Sequence, residues 1–404
     1  MSTSLLYHAF GIRGYRHVRT DFCEGAVLFT IEQARHTLRC PVCHSREVTA
    51  HGGVPRLFRG VPIGPKPTAV FLQIPRVECH VCQITRQVDV PFAEPRRRHT
   101  RAFERYALDL SRHMTIQDVA LHLGVSWDTI KEIQKSYLQR HYGKPKLHKL
   151  KQIAIDEIAI AKGHRYLTVV LDLVSGAVVF VGDGKGAAAL EPFWRRLRAC
   201  RAKIRAVATD MAVAYILAVR EHLPHAVHVF DHFHVIKLFN EKLSDFRREL
   251  YREATDKLHK AVLKGTRWLL LKNPENLDAR HNERARLEEA LRINQPLATV
   301  YYMKEDLRQI WGQADKATAR RVLQDWIRRA EASGIKILQK FAATLALYRA
   351  GILAYYDFPI STGPLEGTNN KIKTMKRQAY GFRDKEFLKL KIYAIHMAKY
   401  ALVG

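Results

Sequence analysis

Asp156, Asp210 and Glu366 are the residues of this sequence whose types and settings could serve one chemistry. The run Ile153-Ala154-Ile155-Asp156-Glu157 puts a carboxylate within or at the end of an apolar strand, where an unpaired charge is costly and usually has a functional partner. Asp210 closes the next buried run, Ala206-Val207-Ala208-Thr209. Glu366 opens a helix that begins near Gly363-Pro364, and Glu366, Asn370, Lys373 and Arg377 recur along one face of it, acidic first and basic beyond. Three carboxylates are hard oxygen ligands. They suit two Mg²⁺ ions, or Mn²⁺ in their place, about 3.5–4 Å apart, an arrangement that activates water and stabilises the leaving 3′-oxygen of a phosphodiester. Asp231, at the end of Ala226-Val227-His228-Val229-Phe230, competes with Asp210 for the second position, and His234 is expected near the same site. Each acid alone also has a plainer use as a capping or solvated residue. Glu157, Asp172 and Asp183 are candidates for supporting roles.

A second constellation is metallic. Cys40-Pro41-Val42-Cys43 and Cys79-His80-Val81-Cys82, with 35 residues between them, suit two knuckles closing one tetrahedral site. Four thiolates leave no open position, so the expected ion is one structural Zn²⁺, with folding of a segment too small for its own core coupled to metal. His44 and His80 flank the knuckles, and the lone Cys23 and Cys200 are expected in cores.

A third constellation is basic. In residues 116–135 the small Ala120, the turn-forming Gly124 and the apolar Val119, Leu123, Val125, Ile130 and Ile133 have the spacing of a helix-turn-helix. Its second helix, capped by Ser126, would present Trp127, Asp128, Thr129, Lys131 and Gln134 to a major groove, while Arg96, Arg97, Arg98 and Arg101 neutralise phosphates. An ordinary helical hairpin has the same pattern; the charge decides for DNA. Lys and Arg number 67 against 39 Asp and Glu in 404 residues, a net +28 that attracts polyanions, and 47% hydrophobic residues place that charge on folded domains.

The elements that must position these groups follow from texture. Residues 1–95 alternate short β-type runs with Pro and Gly and read as a zinc-ribbon-like domain; residues 96–145 hold the helix-turn-helix. Residues 146–238 supply three strands, a helix and two further strands, the order of an α/β ribonuclease H-like core in which the first and fourth strands are neighbours. Residues 239–355 are helical and charged, a long α-helical insertion, and 356–404 return to helices that would complete the core. Trp268, Trp311 and Trp326 of the insertion are expected as packing anchors, with base stacking the alternative. No run approaches the roughly 18 apolar residues of a membrane span, and no secretion signal opens the chain, so a cytoplasmic, nucleoid-associated protein without a membrane partner is expected.

At these residues the chain resembles the DDE transposases, specifically the bacterial insertion-sequence group written ISL-three. The likeness spans nearly the whole chain and is carried by the cysteine knuckles, the helix-turn-helix, IDEIAIAKGHRYLTVVLDL, VATDMAVAYILAVREHLPHAVHVFDHFHVIKLFN and STGPLEGTNNKIKTMKRQAYGF. It implies Asp156, Asp210 and Glu366 as the catalytic triad. Asp231-His232-Phe233-His234 resembles the Asp-x-x-His signature that such proteins carry after the second acid, which favours Asp210 over Asp231. The resemblance implies DNA cleavage and strand transfer with no covalent enzyme intermediate, amino-terminal modules that read terminal inverted repeats, target DNA as the second partner, and at least a homodimer to pair two ends. Two rivals stand beside it: a zinc-containing DNA-binding regulator with a degenerate core, and a ribonuclease H-like nuclease lacking strand transfer.

Overall fold

The structure, a computed structural model, describes residues 4–161, 163 and 165–396, with Leu258 by its backbone alone. Residues 397–404, which the sequence assigned to the catalytic core, lie outside the described residues. The chain forms two compact units, residues 1–144 with 374–404, and residues 145–373.

The first unit opens with α1 (Leu5–Phe10), then β1 (Tyr15–Cys23), β2 (Ala26–Gln33), β3 (Val48–Ile63), β4 (Lys66–Cys79) and β5 (Thr85–Gln87). The strand order is β1-β2-β4-β3, with β5 also on β4; β2 and β4 run parallel and the other pairs antiparallel. Val27, Phe29 and Ile31 of β2 and Val70, Leu72 and Ile74 of β4 alternate inward and meet Phe10, Phe58 and Phe92. The expectation of a lobe too small for its own core is therefore corrected. The hairpin strands β3 and β4, 16 and 14 residues long, expose enough alternating face to build one.

Three capped helices follow: α2 (Arg101–Leu110), α3 (Ile116–Leu123) and α4 (Trp127–Tyr142). The hydroxyls of Thr100, Thr115 and Ser126 accept from Phe103 N, Asp118 N and Thr129 N, and Gly124 ends α3 with φ +59°, where a side chain would be strained.

The second unit carries a five-stranded sheet built from β6 (Gln152–Ala161), β7 (Arg165–Asp172), β8 (Val178–Asp183), β9 (Ala206–Thr209) and β10 (Val227–Phe230). Its order is β10-β9-β6-β7-β8, with β6-β7-β8 antiparallel and β9 and β10 parallel to β6. This is the expected ribonuclease H-like order, first strand beside fourth. Between β8 and β10 run α5 (Ala187–Cys200) and α6 (Val213–His222); Phe193, Trp194, Tyr215 and Val219 pack on Ile153, Ile155, Val170 and Val207 of the sheet.

The insertion comprises α7 (His232–Glu253), α8 (Lys257–Gly265), α9 (Arg267–Leu271), α10 (Glu283–Ile293), α11 (Gln295–Gln309), α12 (Lys316–Ala332) and α13 (Lys336–Leu353). It starts inside α7, which leaves β10 directly. Phe239, Trp326 and Phe341 centre its core, and Trp326 Nε1 donates to the Met303 carbonyl at 2.7 Å, so this tryptophan packs rather than stacks on a base. Residues 336–356 are apolar enough to cross a membrane by length and composition, yet Leu338, Phe341, Leu345 and Ile352 pack in this helical core.

Two helices end the described chain, α14 (Gly363–Gln378) and α15 (Lys385–Ala394). From its sequence α15 is expected in the catalytic core. Instead Phe387, Leu390 and Ala394 join Ile130, Ile133 and Leu138 in the helix-turn-helix core, whose own short helices leave an apolar face that α15 covers. Cys23 and Cys200 are also corrected: the first is exposed and the second only partly buried.

Gly351 of α13 packs closely on the end of the sheet. A Cβ there would lie 2.4 Å from the Phe230 ring, one residue before Asp231. Gly351→Ala should therefore cost about 1–3 kcal/mol, read as a lowered Tm in a thermal melt; an unchanged Tm would contradict the contact.

Candidate active site and metal centre

The four cysteine sulfurs of the first unit lie within 4.8 Å of one another, with Cys40 to Cys82 at 3.5 Å and Cys43 to Cys79 at 3.4 Å. An ion about 2.3 Å from each sulfur fits this set. Both knuckles are the same turn. His44 N donates to Cys40 O and Gln83 N to Cys79 O, each at 3.0 Å, and both residues take a left-handed backbone, φ 60° and 55°. The Cys43 and Val42 N–H groups draw the Cys40 thiol down to about 6, favouring thiolate. His80 pairs with Thr49 Oγ1 at 2.8 Å and His44 is exposed, so neither displaces a cysteine.

On the helix-turn-helix the structure separates the expected contacts. Trp127 is 43% exposed, Thr129 is half-buried, and Lys131 lies 5.5 Å from the Trp127 ring centroid. Arg96, Arg98 and Arg101 are exposed, whereas Arg97 donates to Ser136 Oγ at 2.8 Å. Gln134 is fully buried, and the expectation that it faces a groove is corrected: it follows Ile130 by four residues and Ile133 by one, on the packed side of α4. Lys131 is bound to Asp384 at 3.1 Å, so it does not project freely either.

In the second unit the parallel register Ala154↔Ala208 brings Asp156 on β6 and Asp210 after β9 to the same end of neighbouring strands. Burial pushes the Asp156 carboxyl up; the Glu157 N–H and His234 oppose this, and the Asp210 and Glu157 charges add to it. Asp210 is half-buried, and its Oδ1 accepts from Ala212 N at 3.1 Å.

Asp231 has a different environment. It is 1% exposed and caps α7: Oδ2 accepts from His234 N at 3.2 Å and from His234 Nδ1 at 2.9 Å, and Oδ1 from Thr362 N at 3.1 Å. Burial raises its pKa, but the His234 and Thr362 hydrogen bonds outweigh it and hold the carboxyl below its ordinary range. The same hydrogen bond lifts His234 above its ordinary value against the opposing effect of burial.

Asp156, Glu157, His234, Glu366, Asn369 and Lys373 line one cavity of about 1130 Å³ together with residues of α7 and Trp311. Asn369 is the residue that the sequence missed. It is 5% exposed and donates Nδ2 to Asp156 Oδ2 at 2.8 Å, while its Oδ1 meets no partner among the described residues. The signal was its three-residue spacing from Glu366. The neighbouring Asn370 is exposed, as are Glu366 and Lys373; Arg377, farther along α14, is exposed and belongs to the other unit. Among the described residues the carboxylates of Asp156, Asp210 and Glu366 do not gather as tightly as the four sulfurs do. Glu157 accepts from Tyr215 Oη at 2.6 Å, and Asp172 caps the β7–β8 turn. Trp268 is 65% exposed.

With this geometry in hand, comparison with known proteins is decisive. A family model described as "Transposase", of the ISL3 DDE group, matches residues 153–392. The chain belongs to the ISL3 transposase family. The "Helix-turn-helix domain of transposase family ISL3" matches residues 88–138, and the "zinc-finger of transposase IS204/IS1001/IS1096/IS1165" matches residues 36–82. The transposase for insertion sequence element IS1001 of Bordetella parapertussis is 34% identical over 390 residues, 95% of this chain and 96% of that one. The transposase for insertion sequence element IS1557 of Mycobacterium tuberculosis is 30% identical over 357 residues, 82% and 80% of the two chains. Among solved structures, a chain of the Drosophila P element transposase strand transfer complex is similar with a TM-score of 0.39 and 12% identity, covering 74% of this chain and 92% of that one. The ISL3 chain thus joins a structural zinc ribbon, a DNA-binding helix-turn-helix and a ribonuclease H-like core interrupted by helices.

Two outcomes follow. Cys43→Ser should lose the expected single zinc per chain in metal analysis while far-ultraviolet circular dichroism keeps the sheet signal, because the lobe has its own core; collapse of that signal would contradict it. Asp231→Ala should cost about 2–4 kcal/mol by orphaning Thr362 N and His234, against about 1 kcal/mol or less for Asp210→Ala, compared by thermal melts.

Proposed function

We propose that this transposase binds the terminal inverted repeats of its insertion sequence, cleaves DNA there and joins the freed 3′ end to target DNA, with Asp156, Asp210 and Glu366 as its catalytic carboxylates. The observation that carries the reading is the Asn369–Asp156 hydrogen bond. It ties the helix that bears Glu366 to the strand that bears Asp156, beside the strand that ends at Asp210.

The residues suit Mg²⁺. The donors are hard oxygens, burial and neighbouring negative charge raise Asp156 in a way that a cation would relieve, and the unpartnered Asn369 Oδ1 is a further oxygen at the same place. Bound by Asp156, Asp210 and Glu366, Mg²⁺ would supply Lewis-acid activation of water or a 3′-hydroxyl and stabilisation of the leaving oxygen. Asn369 fixes the Asp156 rotamer, which sets the direction of its second oxygen. Lys373, one turn beyond Asn369 on the same cavity wall, offers a cation to the scissile phosphate. His234, held by Asp231, keeps a proton toward higher pH than a free imidazole and faces the two acids as a positive charge. Asp231 then acts through His234 and the backbone, with both its oxygens already engaged by N–H groups. The exposed Arg96, Arg98, Arg101 and Trp127 are the DNA contacts of the reader, and pairing two ends calls for at least a homodimer in the cytoplasm at the nucleoid.

The test is cleavage and joining of labelled DNA carrying the terminal repeats in Mg²⁺, with binding measured in parallel. Asp156→Asn, Asp210→Asn and Glu366→Gln should each lower cleavage by at least about 10³-fold, roughly 4 kcal/mol of barrier, with binding retained. Wild-type binding without Mg²⁺-dependent cutting would favour the regulator, and cutting without joining the nuclease.

A further inference from the structure

The recognition helix α4 and the carboxy-terminal helix α15 share an interface that is charged at one end and apolar beyond it. At the charged end Lys131 and Lys135 each reach Asp384 at 3.1 Å, and Lys135 reaches Glu386 at 2.7 Å. Both lysines are left with little exposure, 19% and 23% of their side chains. Asp384 also caps α15, accepting from Phe387 N at 3.0 Å, so one carboxylate serves the helix and both lysines. Elsewhere on α4, Gln134 is fully buried with neither amide atom partnered among the described residues. Lys391 of α15 is fully buried as well, its Nζ likewise without a hydrogen-bond partner there and 5.1 Å from the Phe387 ring centroid. Burial brings that ammonium down to about 7, the sign of a group that gains by returning to water.

The contact has an apolar part and an ionic part: Phe387, Leu390 and Ala394 pack on the apolar side of the helix-turn-helix, and Asp384 and Glu386 hold Lys131 and Lys135. The ionic part stays in touch with water, Glu386 being 67% exposed, so other anions compete for the lysines of this contact. Its charged end covers the residues at the start of α4 that lie beside Trp127, the part of a recognition helix that enters a groove.

We propose that α15 is a strap over the DNA-reading side of α4, and that DNA phosphates compete with the Asp384 and Glu386 carboxylates for Lys131 and Lys135. The proposal rests on the DNA-binding reading of the helix-turn-helix and adds to it a masked state. DNA engagement frees α15, so reading the end and repositioning the carboxy-terminal segment are one event.

The test uses the full zinc-loaded chain and two probes at about 0.1 M salt, a duplex of the element's terminal sequence and a duplex of random sequence, read by fluorescence anisotropy. The double variant Asp384→Asn with Glu386→Gln keeps a good cap and removes both charges. It should bind both duplexes about three- to tenfold more tightly than the wild type. Glu386→Gln alone, a change at an exposed side chain, should move affinity in the same direction by a smaller factor, and adding Lys131→Gln and Lys135→Gln to the double variant should abolish the gain. Hydrogen exchange in residues 385–394 of the wild type should quicken when DNA is added. Unchanged or weaker binding by the double variant, or slower exchange on DNA, overturns the strap and makes α15 a brace. If neither wild type nor variant binds either duplex, the DNA-binding reading itself fails, and the strap with it.

Discussion

The carboxylate of Asp231, buried where β10 passes into α7, receives three hydrogen bonds, and the one from Thr362 N comes from a residue 131 positions away in the chain. Thr362 immediately precedes α14, and its carbonyl accepts from Glu366 N at 2.8 Å. The long helical insertion leaves the sheet at one side of this carboxylate and returns at the other. The pairing fixes the turn into α14, four residues before Glu366, beside the end of β10. In the same helix Asn369 stands against the strand that carries Asp156. Burying a charge this deeply is tolerable because the His234 ring and two backbone N–H groups satisfy it, and removing the carboxylate would leave those donors unpaired.

Electrostatics follows from the same arrangement. The sheet end concentrates Asp156 and Asp210 on neighbouring parallel strands, and their repulsion with Glu157 is one reason that Asp156 holds its proton more tightly than a free carboxyl. His234 and Lys373 face that negative charge from α7 and α14. A net charge of +28 over the chain attracts a polyanion, while Asp156 and Glu366 keep the cavity wall locally acidic. The pH dependence of the Asp231–His234 pair has a definite sign. The lowered Asp231 contributes stability above about 3.8 that is lost as pH falls through its folded value, and the raised His234 contributes stability below about 6.5 that is lost as pH rises through its own, so the pair works best between the two.

Much of this was legible because it is written in short-range spacing. The two Cys-x-x-Cys pairs, the Ser126 cap, the Gly124 turn and the apolar runs of β6 and β9 are local patterns, and each appears in the structure as read. What escaped was decided by packing at long range. Asn369 and Asn370 are adjacent and chemically identical, and only the docking of α14 determines which one meets Asp156. Gln134 looked like a reader because polar residues on a recognition helix usually face out; α15, arriving from the far end of the chain, turned that side of α4 into a core. Asp210 and Asp231 end neighbouring strands, and the sequence favoured Asp210 while leaving Asp231 as its rival. The pattern Asp231-His232-Phe233-His234 proved to be a helix cap, a use of carboxylate that competes directly with metal binding.

The central claim is that Asp156, Asp210 and Glu366 form one cation site and that Asp231 does not belong to it. Anomalous scattering from crystals grown with Mn²⁺ and terminal-repeat DNA tests it most directly. The account predicts manganese peaks coordinated by oxygens of Asp156, Asp210 and Glu366, with Asp231 still bonded to His234 and Thr362; manganese on Asp231, or none at Asp156, would contradict it.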